Sequence, residues 1–128
     1  MHVARGKDAK FSPGGPPVFT GDVNRGTLSD ASSASRLFMG LVKFTPGART
    51  VWHSHTFEQG LVIIEGKGIV ATEAQEHVVE PGDVVIVPEG EKHWHGGTNT
   101  TGMAHVAVNG PGETKTFETV DKIKTPGV

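Results

Sequence analysis

Glycine and proline divide this chain into short segments. Its 128 residues include 18 Gly and 8 Pro, and turn-forming groups recur through the middle, such as TPG at 45–47, EPG at 80–82 and PEGE at 88–91. The segments between them are rich in β-branched and aromatic residues, as is typical of short strands bounded by turns. Because no stretch has a sustained 3.6-residue period, the sequence predicts an all-β sandwich or barrel.

The strands follow from this division. They are predicted at 36–44, 49–53, 60–65, 69–72, 77–79, 83–87, 93–97 and 103–108. LVIIEGKGIV at 61–70 has the form of a hairpin with a Gly-rich tip. VVIV at 84–87 indicates a strand buried on both faces, and FSPGGPP at 11–17 a loop. Segments 30–35 and 120–124 could each form one turn of helix.

Length and charge narrow the class of protein. A chain of 128 residues is expected to form one domain, 1–128. The net charge of −2, with no run of one sign, argues against nucleic-acid or membrane partners. No cysteine is present, so disulfides and thiolate ligands are excluded. The apolar runs are too short to span a bilayer, and the first residues lack the apolar core of a signal peptide, so we expect a cytoplasmic protein.

Four of the seven histidines form two pairs with H-x-H spacing, His53 with His55 and His93 with His95. Side chains two apart on a strand point to the same face. Imidazole is the commonest protein ligand for metals near neutral pH. A lone H-x-H is more often an ordinary surface or core pair, but two pairs on different strands could supply several ligands to one ion.

The spacing around these histidines is specific. The first segment has Gly47, His53, His55, residue 59 and Gly66 in the pattern G-x5-H-x-H-x3-E-x6-G, with Gln59 at the glutamate position. The second, G-x5-P-x-G-x2-H-x3-N, matches at Gly82, Pro88, Gly90 and His93, with Gly97 at the asparagine position. These are the two motifs of the cupins, and over about residues 36–108 the chain resembles a small single-domain cupin.

The resemblance implies a fold, a metal and an assembly. The family fold is a double-stranded β-helix, a jelly-roll-like barrel, here with a core at about 36–108 and strand extensions at both termini. It implies one divalent metal ion per chain, with His53, His55 and His93 as ligands. It also implies a homodimer, because small cupins commonly pair through sheet faces and terminal strands.

The fourth ligand is open between Gln59 and its neighbour Glu58. The motif count and the alternation of a strand continuing from His53 both favour Gln59, although a local bulge would reverse the parity. With Gln59 bound through its amide oxygen, four neutral ligands leave a divalent ion its full positive charge, which favours Lewis-acid chemistry. Alternatively, Gln59 only hydrogen-bonds nearby and the ion has three protein ligands.

A narrower resemblance concerns the surroundings of the metal. GARTVWHSH, PEGEKHWHGGTNTTGMAHVAV and Gln59 are similar to a group of manganese-binding cupins that includes bacterial hydroxynitrile lyases and carboxymuconolactone-decarboxylase-like proteins. It implies roles near the metal for Thr50, His95 and His105, and manganese as the metal, with iron, nickel or zinc as alternatives. A free imidazole there could move a proton at neutral pH. Structural roles are equally open, a buried hydrogen-bonded histidine or a turn-capping threonine.

Three functions remain compatible with these residues. The first is a metal-dependent enzyme acting on a small oxygenated organic substrate, with cyanohydrin cleavage or synthesis as the concrete form. The second is a dioxygenase that uses iron or manganese with O2. The third is a non-catalytic cupin that binds a small ligand or the metal itself. The fold alone does not choose among them, because one scaffold supports many chemistries.

Overall fold

The computed structural model describes residues 1–30 and 32–128 and confirms an all-β fold. Two antiparallel sheets contain all the strands of these residues, and one 3-10 helix, Gly6–Asp8, precedes them. The strands are β1 Phe11–Pro13, β2 Phe19–Thr20, β3 Val23–Thr27, β4 Phe38–Phe44, β5 Arg49–Thr50, β6 His53–His55, β7 Gln59–Gly66, β8 Gly68–Thr72, β9 Glu76–Val79, β10 Val84–Val87, β11 His93–Gly97, β12 Met103–Asn109 and β13 Thr114–Thr116.

The two sheets enclose the core. The first has six strands in the order β1-β3-β4-β12-β7-β10. The second has the order β13-β6-β11-β5-β2, and β8 and β9 are added to β11. Apolar side chains from both sheets form one buried cluster, which includes Val42, Phe44, Leu61, Ile63 and Met103. Strands from both ends of the described chain, β1 to β3 and β13, join the sheets. In the described ranges no helix has the length and apolar character needed to span a bilayer.

The C-terminal tail covers the outer face of the second sheet. Trp94 points away from the core and is buried against Ile69, with Val120 and Ile123 of the tail packed over it. The carboxylate of Glu76 accepts hydrogen bonds from the backbone N–H groups of Lys124 and Thr125. The helical turn expected at 120–124 is therefore wrong, because this segment is an extended cover. The turn expected at 30–35 includes position 31, which lies outside the described residues.

The expected hairpin at 61–70 is also wrong. Strands β7 and β8 are consecutive but belong to different sheets, since β7 pairs with β12 and β10 while β8 pairs with β11 and β9. Gly66 adopts a φ of +74° at the crossing, a conformation that favours glycine. The Gly-rich tip is thus the point where the chain passes from one sheet to the other.

Three other local predictions need correction. Strand β10, the VVIV segment, is an edge strand whose Val84 and Ile86 are 61% and 63% exposed, so it is not buried on both faces. Its inner face carries Val85 and Val87. Residues 11–13 of the expected N-terminal loop form β1, paired with β3. The segment 49–53 contains two short strands, because Val51 and Trp52 leave the ladder between β5 and β6.

Candidate metal centre

Three histidines converge between the sheets. His53 and His55 lie on β6, His93 lies on β11, and the two strands pair with His53 opposite His93. All three side chains are buried, which confirms that His53 and His55 share the inner face. One ring nitrogen of each lies within 4.8 Å of those of the others, so this cluster could hold a metal ion.

Backbone carbonyls orient two of the rings. Nδ1 of His53 lies 2.9 Å from the carbonyl oxygen of Val51, and Nδ1 of His93 lies 2.8 Å from that of Glu91. A carbonyl oxygen only accepts, so in a neutral ring Nδ1 carries the proton and Nε2 carries a lone pair. Such an outer hydrogen bond on the second nitrogen is usual for metal-binding imidazoles.

The ring of His55 is hydrogen-bonded to a side chain and not to a backbone carbonyl. Nδ1 of His55 lies 2.8 Å from the hydroxyl oxygen of Thr114, on the C-terminal strand β13. Its Nε2 is buried and has no hydrogen-bond partner among the described residues. A buried nitrogen without a partner is costly in a folded protein unless something else binds it. An ion shared with His53 and His93 would satisfy it.

The electrostatics keep these rings neutral. Burial, followed by repulsion from His93, lowers the pKa of His53 to about 3 and that of His55 to about 4. Burial also lowers the pKa of His93. Imidazole must be deprotonated to coordinate a metal, so the environment favours the form that can bind one.

Gln59 reaches the same cluster from the opposite sheet. Its side chain is 5% exposed, whereas Glu58 is exposed. The amide oxygen Oε1 lies 3.3 Å from Nε2 of His93, and the amide nitrogen donates to Oδ1 of Asn109 over 2.9 Å. The strand parity argued from His53 does not apply, because β6 ends at His55 and Gln59 begins β7 in the other sheet.

The motif glycines form the turns beside the cluster. Gly47 and Gly90 have φ values of +82° and +80°, where a side chain would be strained. The backbone N–H of Gly90 donates to the carbonyl oxygen of His55 over 2.8 Å, which joins the turn before β11 to β6. The glycines therefore fix the positions of the strands that carry the histidines.

A second pair of histidines lies deeper. Nε2 of His105, on β12, lies 3.0 Å from Nδ1 of His95, and both rings contact Phe44. Thr50 is buried beside them, and its hydroxyl accepts a hydrogen bond from the backbone N–H of His95. The three residues singled out by the sequence thus lie together next to the cluster, with the rings of His95 and His53 5.3 Å apart.

The His95–His105 pair has free nitrogens at both ends. Nε2 of His95 and Nδ1 of His105 are buried and have no hydrogen-bond partner among the described residues. Burial lowers the pKa of His105 to about 4, and burial with the repulsion of His105 and His53 holds the pKa of His95 well below its usual 6.5. His95 is therefore neutral at neutral pH, and one of its ring nitrogens carries a lone pair.

One cavity connects the two groups of histidines. It has a volume of about 300 Å³ and is lined by His53, His55, Gln59, His95 and His105. Phe38 and Val42 supply apolar parts of its lining, whereas Trp94 belongs to the outer cluster. A cavity of this size accepts a small organic molecule.

Sequence reasoning missed the residues that orient the site. Asn109 and Thr114 hydrogen-bond to Gln59 and His55 across 50 and 59 residues of chain, so no local motif shows them. Arg25, which also lines the cavity, comes from an N-terminal strand outside both motifs. Only the pairing register of the strands identifies these residues. It places Asn109 opposite Gln59, Thr114 opposite His55 and Arg25 opposite Val42.

Fold and site together define a cupin. The model of the Cupin_2 cupin-domain family matches residues 40–109, so the chain belongs to this family. Among characterised proteins, the (R)-mandelonitrile lyase of Granulicella tundricola is 38% identical over 109 residues, which span 84% of this chain and 83% of that protein.

Solved structures agree on the architecture. A cupin-like protein from Thermotoga maritima superposes with a TM-score of 0.81 at 31% identity, covering 85% of this chain and 86% of its own. The polyketide cyclase RemF of Streptomyces resistomycificus gives a TM-score of 0.78 at 18% identity, with coverage of 95% and 89%. The second likeness concerns the fold alone. The jelly-roll-like double-stranded β-helix expected from the motifs is confirmed.

Proposed function

We propose that this chain is a metal-dependent lyase that cleaves and forms cyanohydrins. The observation that carries the proposal is the buried Nε2 of His95, which has no hydrogen-bond partner among the described residues, on a ring that lines the same cavity as His53 and His55. The residues that could hold a Lewis-acid metal and the proposed base, His95, thus line the same cavity. The relative from Granulicella tundricola, named for mandelonitrile cleavage, supports this choice of reaction.

The residues present fit one divalent ion. His53, His55 and His93 would hold it through Nε2, and Gln59 through Oε1, because these atoms converge and none donates a hydrogen bond in the arrangement described. Manganese is the metal we favour. Bound there, the ion supplies a Lewis acid for an oxygen atom of the substrate.

The remaining steps belong to the protein. Neutral His95 takes the hydroxyl proton of the cyanohydrin on Nε2, and the carbonyl double bond forms as the C–C bond to the nitrile breaks. The bonding electron pair leaves with cyanide, and protonated His95 returns the proton to give HCN and an aldehyde. Nε2 of His105 can accept the Nδ1 proton of His95, so the pair shares the positive charge. The hydroxyl of Thr50 accepts a hydrogen bond from the backbone N–H of His95 and so holds His95 in place.

The test compares cyanohydrin cleavage in three proteins. Metal-loaded wild type should release benzaldehyde from mandelonitrile, and protein stripped with a chelator should not until manganese is restored. His95→Gln should keep its metal and lose about 100-fold or more in kcat. His77→Gln changes an exposed histidine outside both motifs and is the matched control. Undiminished cleavage by stripped protein or by His95→Gln would reject the mechanism.

A measurement of oxygen uptake distinguishes the dioxygenase from the lyase. The same metal-loaded protein can be assayed with a diketone or a flavonol in an oxygen electrode. Uptake without any cyanohydrin cleavage would favour a dioxygenase. Bound metal with neither activity would favour a binding protein.

A further inference from the structure

One row of facing residues crosses the inner side of the first sheet. Ser12 pairs with Arg25, Arg25 with Val42, and Val42 with His105. Residues directly opposite in antiparallel strands share a face, so all four side chains point into the barrel. Arg25 is two strand spacings, about 10 Å, from His105 along this row. It therefore lies on the same wall of the cavity as His105, nearer the edge of the sheet.

Two cations stand at this end of the cavity. Arg25 and Lys10 both line it, and both are exposed at its mouth. The guanidinium carbon of Arg25 lies 5.5 Å from the ring centroid of Phe19, which packs on Phe44 beneath it. This aromatic contact positions the guanidinium without using its N–H groups.

Neither cation has a charged partner in the described chain. The ion pairs within 4.0 Å in residues 1–30 and 32–128 all involve Lys92, which is elsewhere. No Asp or Glu occurs among the described residues that line the cavity. Unpaired positive charge therefore collects at the mouth, and a bound divalent ion would add to it. Such a cleft concentrates anions and speeds their entry.

We propose that Arg25, assisted by Lys10, binds a carboxylate of the substrate, so that the site acts on small carboxylate-bearing aldehydes and cyanohydrins. The identity of the reacting group rests on the proposed function, but the anionic class of ligand does not. The flat guanidinium matches a carboxylate with two parallel hydrogen bonds. The floor between the two ends is made of Gly40, Val42 and Ala107, which leaves room for an apolar linker or ring.

Direct binding tests the inference without turnover. The probes are 4-formylbenzoate and its neutral counterpart 4-formylbenzamide, titrated into manganese-loaded protein by calorimetry. We expect the carboxylate to bind at least about 10-fold more tightly, and Arg25→Gln to remove that advantage. Lys10→Gln should reduce it partly. Lys43→Gln removes the same charge from the outer face of the same sheet and should change nothing.

Two results would overturn the inference. Equal affinity for the two probes would do so, as would a preference for the carboxylate that Arg25→Gln leaves intact. Inorganic phosphate, titrated in parallel, should bind more weakly than 4-formylbenzoate, because the cavity is shaped for an organic group. Tighter, Arg25-dependent phosphate binding would exclude the carboxylate class.

Turnover then separates this inference from the proposed function. If both are right, the cyanohydrin of 4-formylbenzoate is cleaved with a higher kcat/KM than mandelonitrile, and Arg25→Gln raises its KM with little change in kcat. Equal kcat/KM values that Arg25→Gln leaves unchanged would reject the carboxylate site but keep the lyase. Arg25-dependent binding without cleavage of either cyanohydrin would reject the lyase but keep the anionic ligand class.

Discussion

The amide nitrogen of Gln59 donates to Oδ1 of Asn109 over 2.9 Å, and this bond turns the amide oxygen toward Nε2 of His93, 3.3 Å away. Since the carbonyl of Glu91 holds the His93 proton on Nδ1, both facing atoms carry lone pairs. Two acceptors at this distance repel each other, and a cation between or beside them removes the repulsion. The structure thus orients an uncharged amide as a prospective ligand.

Asn109 should therefore control metal affinity. Asn109→Leu removes the acceptor for the Gln59 amide and should weaken manganese binding by about 10-fold or more, as is usual for partners of metal ligands. Asn109→Asp keeps an acceptor oxygen at the same place and should retain or increase affinity. Competition against a fluorescent chelator measures both. Identical affinity of Asn109→Leu and wild type would show that Gln59 needs no orienting partner.

Gln59→Glu should separate metal binding from catalysis. The added carboxylate lowers the net positive charge of the site by one, so the ion should bind as tightly or more tightly. The same change reduces Lewis acidity, and cyanohydrin cleavage should slow, with the basic limb of its pH profile moving upward. Both proteins are compared at full metal occupancy. Faster cleavage by the variant would contradict a role for the neutral amide.

His55→Ala should lose most of its metal and keep its fold. The core between the sheets consists of apolar side chains that this substitution leaves in place. Elemental analysis of untagged protein gives the metal content, and circular dichroism checks the fold. His77→Ala, which alters an exposed histidine, should retain full occupancy. Full occupancy in His55→Ala would exclude His55 as a ligand.

Metal-free protein should lose stability in acid. Burial lowers the pKa of His105 to about 4, against 6.5 for the unperturbed side chain. Between these values the unfolded chain binds a proton that the folded protein does not, so stability is full above pH 6.5 and falls as the pH drops toward 4. Over this window the loss from this group is about 3 kcal/mol.

Denaturant titrations at several pH values measure that slope. His105→Gln keeps a hydrogen-bonding group but does not titrate, so the proton uptake linked to its unfolding should fall by about one. The slope is informative even if the variant is less stable overall. An unchanged slope would show that His105 does not resist protonation.

We also expect a homodimer. The outer face of the first sheet is apolar at its β10 edge, where Val84 pairs with Val62 and Val62 with Val106, and Ile86 lies across Gly60 from Val108. Light scattering at micromolar concentration should give twice the 13.5 kDa chain mass. Ile86→Lys places a charge in this patch and should give particles of one chain mass.

Val78→Lys is the control for that substitution. Val78 is 43% exposed, but it lies on β9 of the other sheet. The Val78→Lys protein should remain dimeric. Wild-type particles of 13.5 kDa would refute the dimer itself, whereas a dimeric Ile86→Lys would place the interface elsewhere, such as at the terminal strands.

Local patterns predicted the fold class and the central histidines well. The period of two in a strand is enough to place His53 and His55 on one face, and the motif glycines set the turns beside them. The same reasoning put Gln59 on a continuation of their strand, whereas it enters from the facing sheet. The residue lies in the cavity as expected, but because the chain changes sheets and not because of strand parity.

The features that the sequence does not predict depend on strand register and on where the chain passes between the sheets. A Gly-rich segment between two apolar runs can form a hairpin or a crossing between sheets, so the sequence of 61–70 does not distinguish the hairpin from the crossing that the structure has. The partners of Gln59 and His55 are 50 and 59 residues distant, and the place of Arg25 follows from the pairing of β3 with β4. None of these relationships leaves a periodic trace in the sequence.

The site is assembled from both halves of the barrel. His53, His55 and His93 belong to one sheet, and Gln59 to the other. An ion held by all four would link the two sheets through bonds inside the barrel. Its loss would let the layers slide or part slightly, and amide hydrogens on β6, β7 and β11 would exchange faster together. Hydrogen exchange could then report occupancy of the site without any substrate.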